Sequence, residues 1–584
     1  MPSFEGRIRD HLAFLYGAEG PTVADRLLER LATFRREHPS LSQGRIPPAE
    51  RLTEKDVILI TYGDQVQAPN RLPLRSLHEF LAERAEGLIR TVHILPFFPY
   101  SSDDGFSVID YYQVDPRLGT WEEVRAFTGD FHLMVDLVIN HVSRHSEWFR
   151  RYCAGDPEFA QAFIAVPEGA DLSRVVRPRA LPLLTPVKTA SGMRNIWTTF
   201  SADQMDVNAA DPATLLRLLD VLLFYIAQGA RIIRLDAIAF LWKKIGTSCL
   251  HLEETHRVVK LMRAMLDLVA PNVMLITETN VPHAENISYF GDGYDEAQMV
   301  YQFPLPPLVL YSLHRGNATA MTRWAQGLAL PSEETTFYNF TASHDGIGVR
   351  PLEGILPPEE IQWLADRTVE HGGLVSYRSR PDGSLAPYEL NCSYLDAVSN
   401  PQGGEPVERQ VQRFLVSQAI ALALQGVPAI YFHSLFGSRN WHEGVQRTGR
   451  NRTINREKLD RARLEQALND PSSVRAQVFS AYSRLIAVRT AEAAFHPQSA
   501  QKVLALDDRL FALWRLPRGG EGAVLCVHNV SAERVPLSIA QEGTPLAGAM
   551  AVQDLLTGQR IPLLGGNLSF TVEPYGVYWL KEVR

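Results

Sequence analysis

Cysteine is scarce in this chain. There are four in 584 residues (Cys153, Cys249, Cys392 and Cys526), far apart and with no CxxC pair. This argues against a disulfide-stapled scaffold and a thiolate metal centre, and it points to reduced thiols in a cytoplasmic protein. Long apolar runs are missing too. The longest, FLVSQAIALALQGVPAIYF, is broken by Ser417, Gln418, Gln425, Gly426 and Pro428, so no membrane partner is expected. The opening MPSFEGRIRDHLAFLYG lacks the apolar core of a signal peptide. Positive charge is not in excess. The net charge is −8, which argues against nucleic acid as a partner. No compact loop of oxygen ligands is present, so no metal is implied, and no other cofactor is expected. There is no low-complexity tract.

What the chain does have is a set of short, β-rich apolar runs separated by helical stretches. They are VILITYG (57–63), TVHILPFFP (91–99), HLMVDLVIN (132–140), ARIIRLDAI (230–238), VMLITETN (273–280), EAQMVYQF (296–303), TTFYNFTASHD (335–345) and VPAIYFHS (427–434). Amphipathic segments such as LLRLLDVLLFYIAQ and THRVVKLMRAMLDLVA lie between them. Continuous apolar strands alternating with helices imply a parallel sheet covered on both faces, and such a count implies a closed (β/α)8 TIM barrel.

The expected organisation is an N-terminal helical extension over residues 1–50, a barrel over 51–490 and a C-terminal antiparallel β-domain over 491–584. Two connections are too long for simple helices: 142–210 after strand three and 347–405 after strand seven. Insertions of that kind usually carry function. In the extension, TVADRLLERLATFRREH reads as a helix with Thr22 and Asp25 as a capping-box start.

One run is odd. GARIIRLDAI places Arg234 and Asp236 two residues apart in an otherwise apolar strand, hence on one face. Buried charges must be paired or neutralised. A structural ion pair would satisfy that rule. So would a site at the C-terminal rim of the barrel, where Asn140, His141, Glu278, His344 and Asp345 also gather. Asp236, Glu278 and Asp345 on strands four, five and seven suggest carbohydrate chemistry, since retaining glycoside transfer needs two carboxyl groups about 5–5.5 Å apart. Arg234 would then hold Asp236 ionised, and Asp236 would raise the pKa of Glu278.

These residues carry a resemblance. DLVINH (136–141), RIIRLDAI (231–238), ITET (276–279) and ASHDGIG (342–348) match, in order, the signature regions of the α-amylase superfamily. The resemblance implies Asp236 as nucleophile, Glu278 as acid/base and Asp345 as the third carboxylate. GTSCLHLEETH, HDGIGV, ITYGDQV, FSADQMDVN and GRNRTINREKL are similar to the sucrose phosphorylase branch. By that likeness Asp103, Phe106, His141, Phe200, Gln204, Arg234, His344 and Arg452 hold the glucose ring. Phe240 departs from the sucrose enzymes, which carry an aromatic hydroxyl there, and the N-terminal segment is longer than theirs.

Carboxylates do not choose between water and phosphate, but local charge does. The segment LSRVVRPRALPLLTPVKTASGMRNIWTTFSA carries Arg174, Arg177, Arg179, Lys188 and Arg194 with no acidic residue. A solvated basic loop is the plain reading. Its place in the insertion above the rim favours an anion site, which a phosphorylase must supply. The resemblance puts phosphate or the leaving group on Arg179 and Tyr388, with Arg177 and Glu389 beside them. The wording RPRALPLLTPV is similar to the glucosylglycerate phosphorylases of this branch. The expected partners are therefore a small α-glucoside and inorganic phosphate. The rival readings are sucrose 6-phosphate or sucrose phosphorylase, a plain hydrolase, and, from another class, a non-catalytic amylase-fold subunit. The last is disfavoured because all three carboxylates are kept. Oligomeric state is left open, a homodimer included.

Overall fold

The computed structural model describes residues 3–179, 181–379, 384–520 and 522–583. Eight parallel strands close into a barrel. They are β1 (Ile58–Thr61), β2 (Thr91–Ile94), β3 (His132–Leu137), β4 (Ala230–Leu235), β5 (Met274–Thr277), β6 (Met299–Tyr301), β7 (Thr336–Phe340) and β8 (Val427–Tyr431). Each falls inside one of the apolar runs. The strands follow chain order around the barrel, with β1 closing on β8. They are almost wholly buried, because helices cover the outer face and side chains fill the interior. Helices Pro212–Ala227 and Glu253–Val269 lead into β4 and β5. The first begins sharply: the Asp211 side chain accepts from the Thr214 N–H at 2.9 Å, and proline takes the first helical position.

The long connection after β3 is closed by an antiparallel pair, His141–Ser143 with Gln204–Asp206, and holds a three-stranded sheet whose outer strands include Leu184–Thr189. The one after β7 folds as a second three-stranded sheet, in which Leu385–Asn391 lies between Ile347–Gly348 and Leu374–Ser379. The C-terminal residues form an eight-stranded antiparallel sheet with its own apolar core. Two buried arginines seam it to the barrel through backbone carbonyls: Arg489 donates to Gly426 and Phe495, and Arg515 to Ala423 and His496.

The N-terminal segment differs from expectation in two ways. It contains an additional helix, Phe4–Tyr16, capped by the Ser3 side chain. The next helix, Gly20–Glu37, starts before Thr22 and has no side-chain cap. Pro21 in its first turn sets the start, and Asp25 is turned instead to Arg9 at 2.8 Å. Both helices pack on Glu253–Val269.

Candidate active site

β3 and β4 run in register with Asp136 beside Arg234. Both are buried. Arg234 Nη1 donates to Asp136 and, at 2.8 Å, to Asp236 Oδ1. Its Nε donates to the Tyr301 hydroxyl at 3.0 Å, and its Nη2 lies 3.9 Å from Glu278 Oε2. His93 on β2 meets Asp136 at 2.7 Å. One guanidinium thus faces three carboxylates, and the oddity of the β4 run is resolved: its charges turn into the barrel interior at the C-terminal rim.

The ladder continues past both strand ends. The Asp236 N–H donates to Leu137 O at 3.3 Å and the Glu278 N–H to Leu235 O at 3.1 Å. The following residue, Ala237, has φ 47°, a left-handed conformation that costs energy in a residue with a Cβ. This turn aims the Ala237 N–H at Glu278 Oε2, 3.0 Å away.

Burial pushes Glu278 up to about 7, with Asp236 and Asp345 adding and Arg234 opposing. Asp236 is also raised, by burial first and by Asp136, against Arg234 and His141. Arg234 does pull Asp236 down, but burial outweighs it, and the same guanidinium also serves Asp136. Asp345 goes the other way. Burial would raise it, yet Arg452, His344 and Arg456 together hold it well below the usual carboxylate range, with Arg452 Nη1 at 2.6 Å. Asp103 is likewise brought down against burial by Arg179, Arg452 and Arg456. Burial lowers His141 and takes His344 down to about 3, so both rings are neutral at pH 7.

Every candidate residue except Arg177 lines a single cavity. Phe106 stacks on His344 with centroids 4.8 Å apart, and Gln204 Nε2 meets His141 Nε2 at 3.0 Å. Phe200 packs edge-on against Phe240 at 5.6 Å. Arg452 bridges Asp345 and Glu389. Arg179 reaches in from the first insertion, 3.4 Å from Asp103 Oδ2 and 5.5 Å above the Phe200 ring. Tyr388 comes from the second insertion. Burial and Glu389 push its hydroxyl up to about 12, so it remains a proton donor. Arg177 is exposed and donates to the Leu181 carbonyl. Arg174, Lys188 and Arg194 are exposed as well. Of the basic segment, only Arg179 turns inward.

Other residues at the site escaped the sequence reading. Asp136 carried the same signal as Arg234, a charge inside an apolar run. Arg456 donates to His344 O at 2.8 Å and pairs with Asp104. Lys243 is buried and reaches Asn140 Oδ1 at 2.6 Å and Asp206 Oδ2 at 2.7 Å. Nothing in the doublet Lys243–Lys244 distinguishes it from its exposed neighbour. Among the described residues no group of three or more His, Cys, Asp or Glu is arranged to hold a metal ion.

The arrangement offers two carboxyl groups, Asp236 and Glu278, around one guanidinium, with a further arginine, Arg179, lining the same cavity. Comparison with known proteins gives the family. Residues 87–344 match the model of the α-amylase catalytic domain. The chain is 48% identical to a glucosylglycerate phosphorylase of Allomeiothermus silvanus over 100% of its own length and 99% of the relative's. It is 50% identical to one of Spirochaeta thermophila, covering 90% and 89%. Among solved structures, sucrose 6F-phosphate phosphorylase from Thermoanaerobacter thermosaccharolyticum superposes with a TM-score of 0.70 at 25% identity, covering 82% of this chain and 94% of that one. The chain belongs to the α-amylase family, among its glucoside phosphorylases.

Proposed function

We propose that this chain is a retaining phosphorylase that converts 2-O-α-glucosylglycerate and phosphate to α-glucose 1-phosphate and glycerate. The observation that carries the reading is the sharing of Arg234 by Asp236 and Glu278, with Arg179 at the cavity mouth. Asp236 is the nearer to Arg234, at 2.8 Å against 3.9 Å. The proton held by the pair therefore rests on Glu278, and the ionised Asp236 is the nucleophile.

In the first step an Asp236 oxygen bonds to the anomeric carbon as the bond to glycerate breaks, and Glu278 gives its proton to the departing oxygen. In the second, a phosphate oxygen displaces Asp236 and Glu278 recovers a proton from phosphate. Two inversions keep the α-configuration. Asp345, held ionised by Arg452, binds hydroxyls of the glucose ring. Asp103, Phe106, His141, Phe200, Gln204, His344 and Arg452 complete that subsite. Arg179 and Tyr388 receive phosphate, and Glu389 fixes Arg452. The relatives' names support glycerate as the leaving group. A cytoplasmic setting is supported by four unpaired cysteines and by the lack, among described residues, of a helix long and apolar enough to cross a membrane.

The test is a donor screen with purified protein and phosphate. Glucosylglycerate should yield α-glucose 1-phosphate faster than sucrose, sucrose 6-phosphate or glucosylglycerol. A β-anomeric product overturns double displacement. Arg179→Ala should raise the KM for phosphate about 30-fold or more, the equivalent of losing a charge-assisted contact of roughly 2–5 kcal/mol, while hydrolysis of the donor continues. Unchanged phosphate dependence would leave the basic segment a solvated face.

A further inference from the structure

Four arginines line the cavity: Arg179, Arg234, Arg350 and Arg452. Three have acidic partners. Arg234 serves Asp136 and Asp236, Arg452 serves Asp345 and Glu389, and Arg179 stands 3.4 Å from Asp103. Arg350 is half-buried, and its side chain has no hydrogen bond or ion pair among the described residues. A cation confined in a cavity beside carboxylates, with none of them bound to it, is available to an anion from outside.

Its position is set by the fold. Arg350 follows strand Ile347–Gly348, whose partner strand carries Tyr388 and Glu389. Gly348 pairs with Glu389, and the Val349 N–H donates to Tyr388 O at 3.1 Å. On the other flank lies Asn280, two residues beyond Glu278. A Cβ at position 348 would come within 2.6 Å of Asn280 Nδ2, so glycine there lets the two loops close together. Asn280 Oδ1 is buried with no hydrogen-bond partner, although it lines the same cavity. A buried acceptor left unmade is costly, and a ligand hydroxyl would satisfy it. An unpaired cation and an orphaned acceptor thus line the cavity that holds Glu278, while Arg234 Nη2 stands 3.9 Å from that carboxyl. The group that receives the Glu278 proton must take a part of this cavity that Arg234 does not fill.

We infer that Arg350 and Asn280 form the subsite for the leaving group, with Arg350 taking its carboxylate and Asn280 accepting from its free hydroxyl. This rests on the proposed reaction and divides its two anions: Arg179 holds phosphate, and Arg350 selects an acceptor bearing both a carboxylate and a hydroxyl.

The test is acceptor competition with α-glucosyl fluoride as donor and glycerate, glycerol or phosphate as acceptor. In Arg350→Gln the preference for glycerate over glycerol should fall roughly 10- to 100-fold, the loss of one charged contact. The phosphate KM should move by a much smaller factor. Arg350→Lys should restore part of the glycerate preference, which a merely misfolded loop would not show. Asn280→Ala should weaken glycerate and glycerol together. If Arg350→Gln keeps the wild-type glycerate preference while the wild type does prefer glycerate, the subsite is wrong and the reaction stands. If glycerate and phosphate lose affinity by the same factor, one shared anion site replaces the two. A wild type with no preference for glycerate overturns the substrate reading and this assignment with it.

Discussion

Two charge networks sit at opposite ends of the barrel, built from the same residue types in opposite proportion, the first half-open to solvent through Arg45 and the second buried. At the N-terminal end Arg7, Arg45, Arg51 and Arg263 surround Asp267 and Glu334. Arg51 Nη1 is 2.8 Å from Glu334, and Arg263 touches both carboxylates. At the C-terminal rim Arg234 alone faces Asp136, Asp236 and Glu278. The titration behaviour follows the ratio. Burial would raise Glu334, but Arg51, Arg263 and Arg45 bring it below its ordinary value. Burial raises Glu278 to about 7, and one shared arginine does not reverse it. A surplus of cations makes a clamp. A surplus of carboxylates makes a proton store, at a cost in stability that the first network helps offset.

The largest effect is expected at Asp236. Asp236→Asn should cut turnover by roughly 10⁴-fold or more, yet raise stability by about 1 kcal/mol because a poorly compensated buried charge is gone. Parallel measurement of kcat and chemical denaturation checks both. An inactive variant that is also less stable would mean that the rim network holds the fold rather than working against it.

Glu278 sharpens the contrast through pH. Its folded pKa is above its unfolded one, so it is protonated in the native state up to about pH 7. Stability linked to this group is present below about pH 4.5 and falls as pH rises to about 7. Glu334 has the opposite sign: its contribution is present above the unfolded value of about 4.5 and is lost as pH drops through the folded one. Activity should decline above about pH 7. Glu278→Gln should cost about 10²- to 10⁴-fold with glucosylglycerate and much less with α-glucosyl fluoride, whose departure needs little protonation. Equal losses on both donors would remove Glu278 from the acid's role.

The smallest effect belongs to the clamp. Arg51→Met should lower stability by about 1–3 kcal/mol, most clearly near neutral pH where Glu334 is ionised, and leave kcat/KM alone. A loss of activity without a loss of stability would show that the two ends are coupled.

The eight strands were legible because two-face burial writes itself as unbroken apolar runs. The rim carboxylates were legible because Asp236 and Glu278 directly follow the last residues of β4 and β5, and Asp345 closes the run that holds β7. Orientation was not. In the basic segment, composition cannot tell the inward Arg179 from the exposed Arg177, since both sit in a loop without periodicity. The direction of Asp236's titration also escaped, because it is set first by the depth of burial at the strand end and then by Asp136 on a neighbouring strand, neither of which the local sequence displays. The helix Phe4–Tyr16 went unread because its polar residues are dispersed and few of its side chains are buried.

Lys243 has a consequence of a different kind. Its ammonium lies between Asn140 and Asp206, where the first insertion returns to the barrel. A dissociable cation at such a junction would tie folding to its free concentration by mass action. A cation on a covalent tether has a fixed effective concentration. It cannot be diluted, chelated or exchanged for another ion. The loop that delivers Arg179 is therefore anchored by a counterion that the gene itself encodes, which no change of free cation can remove.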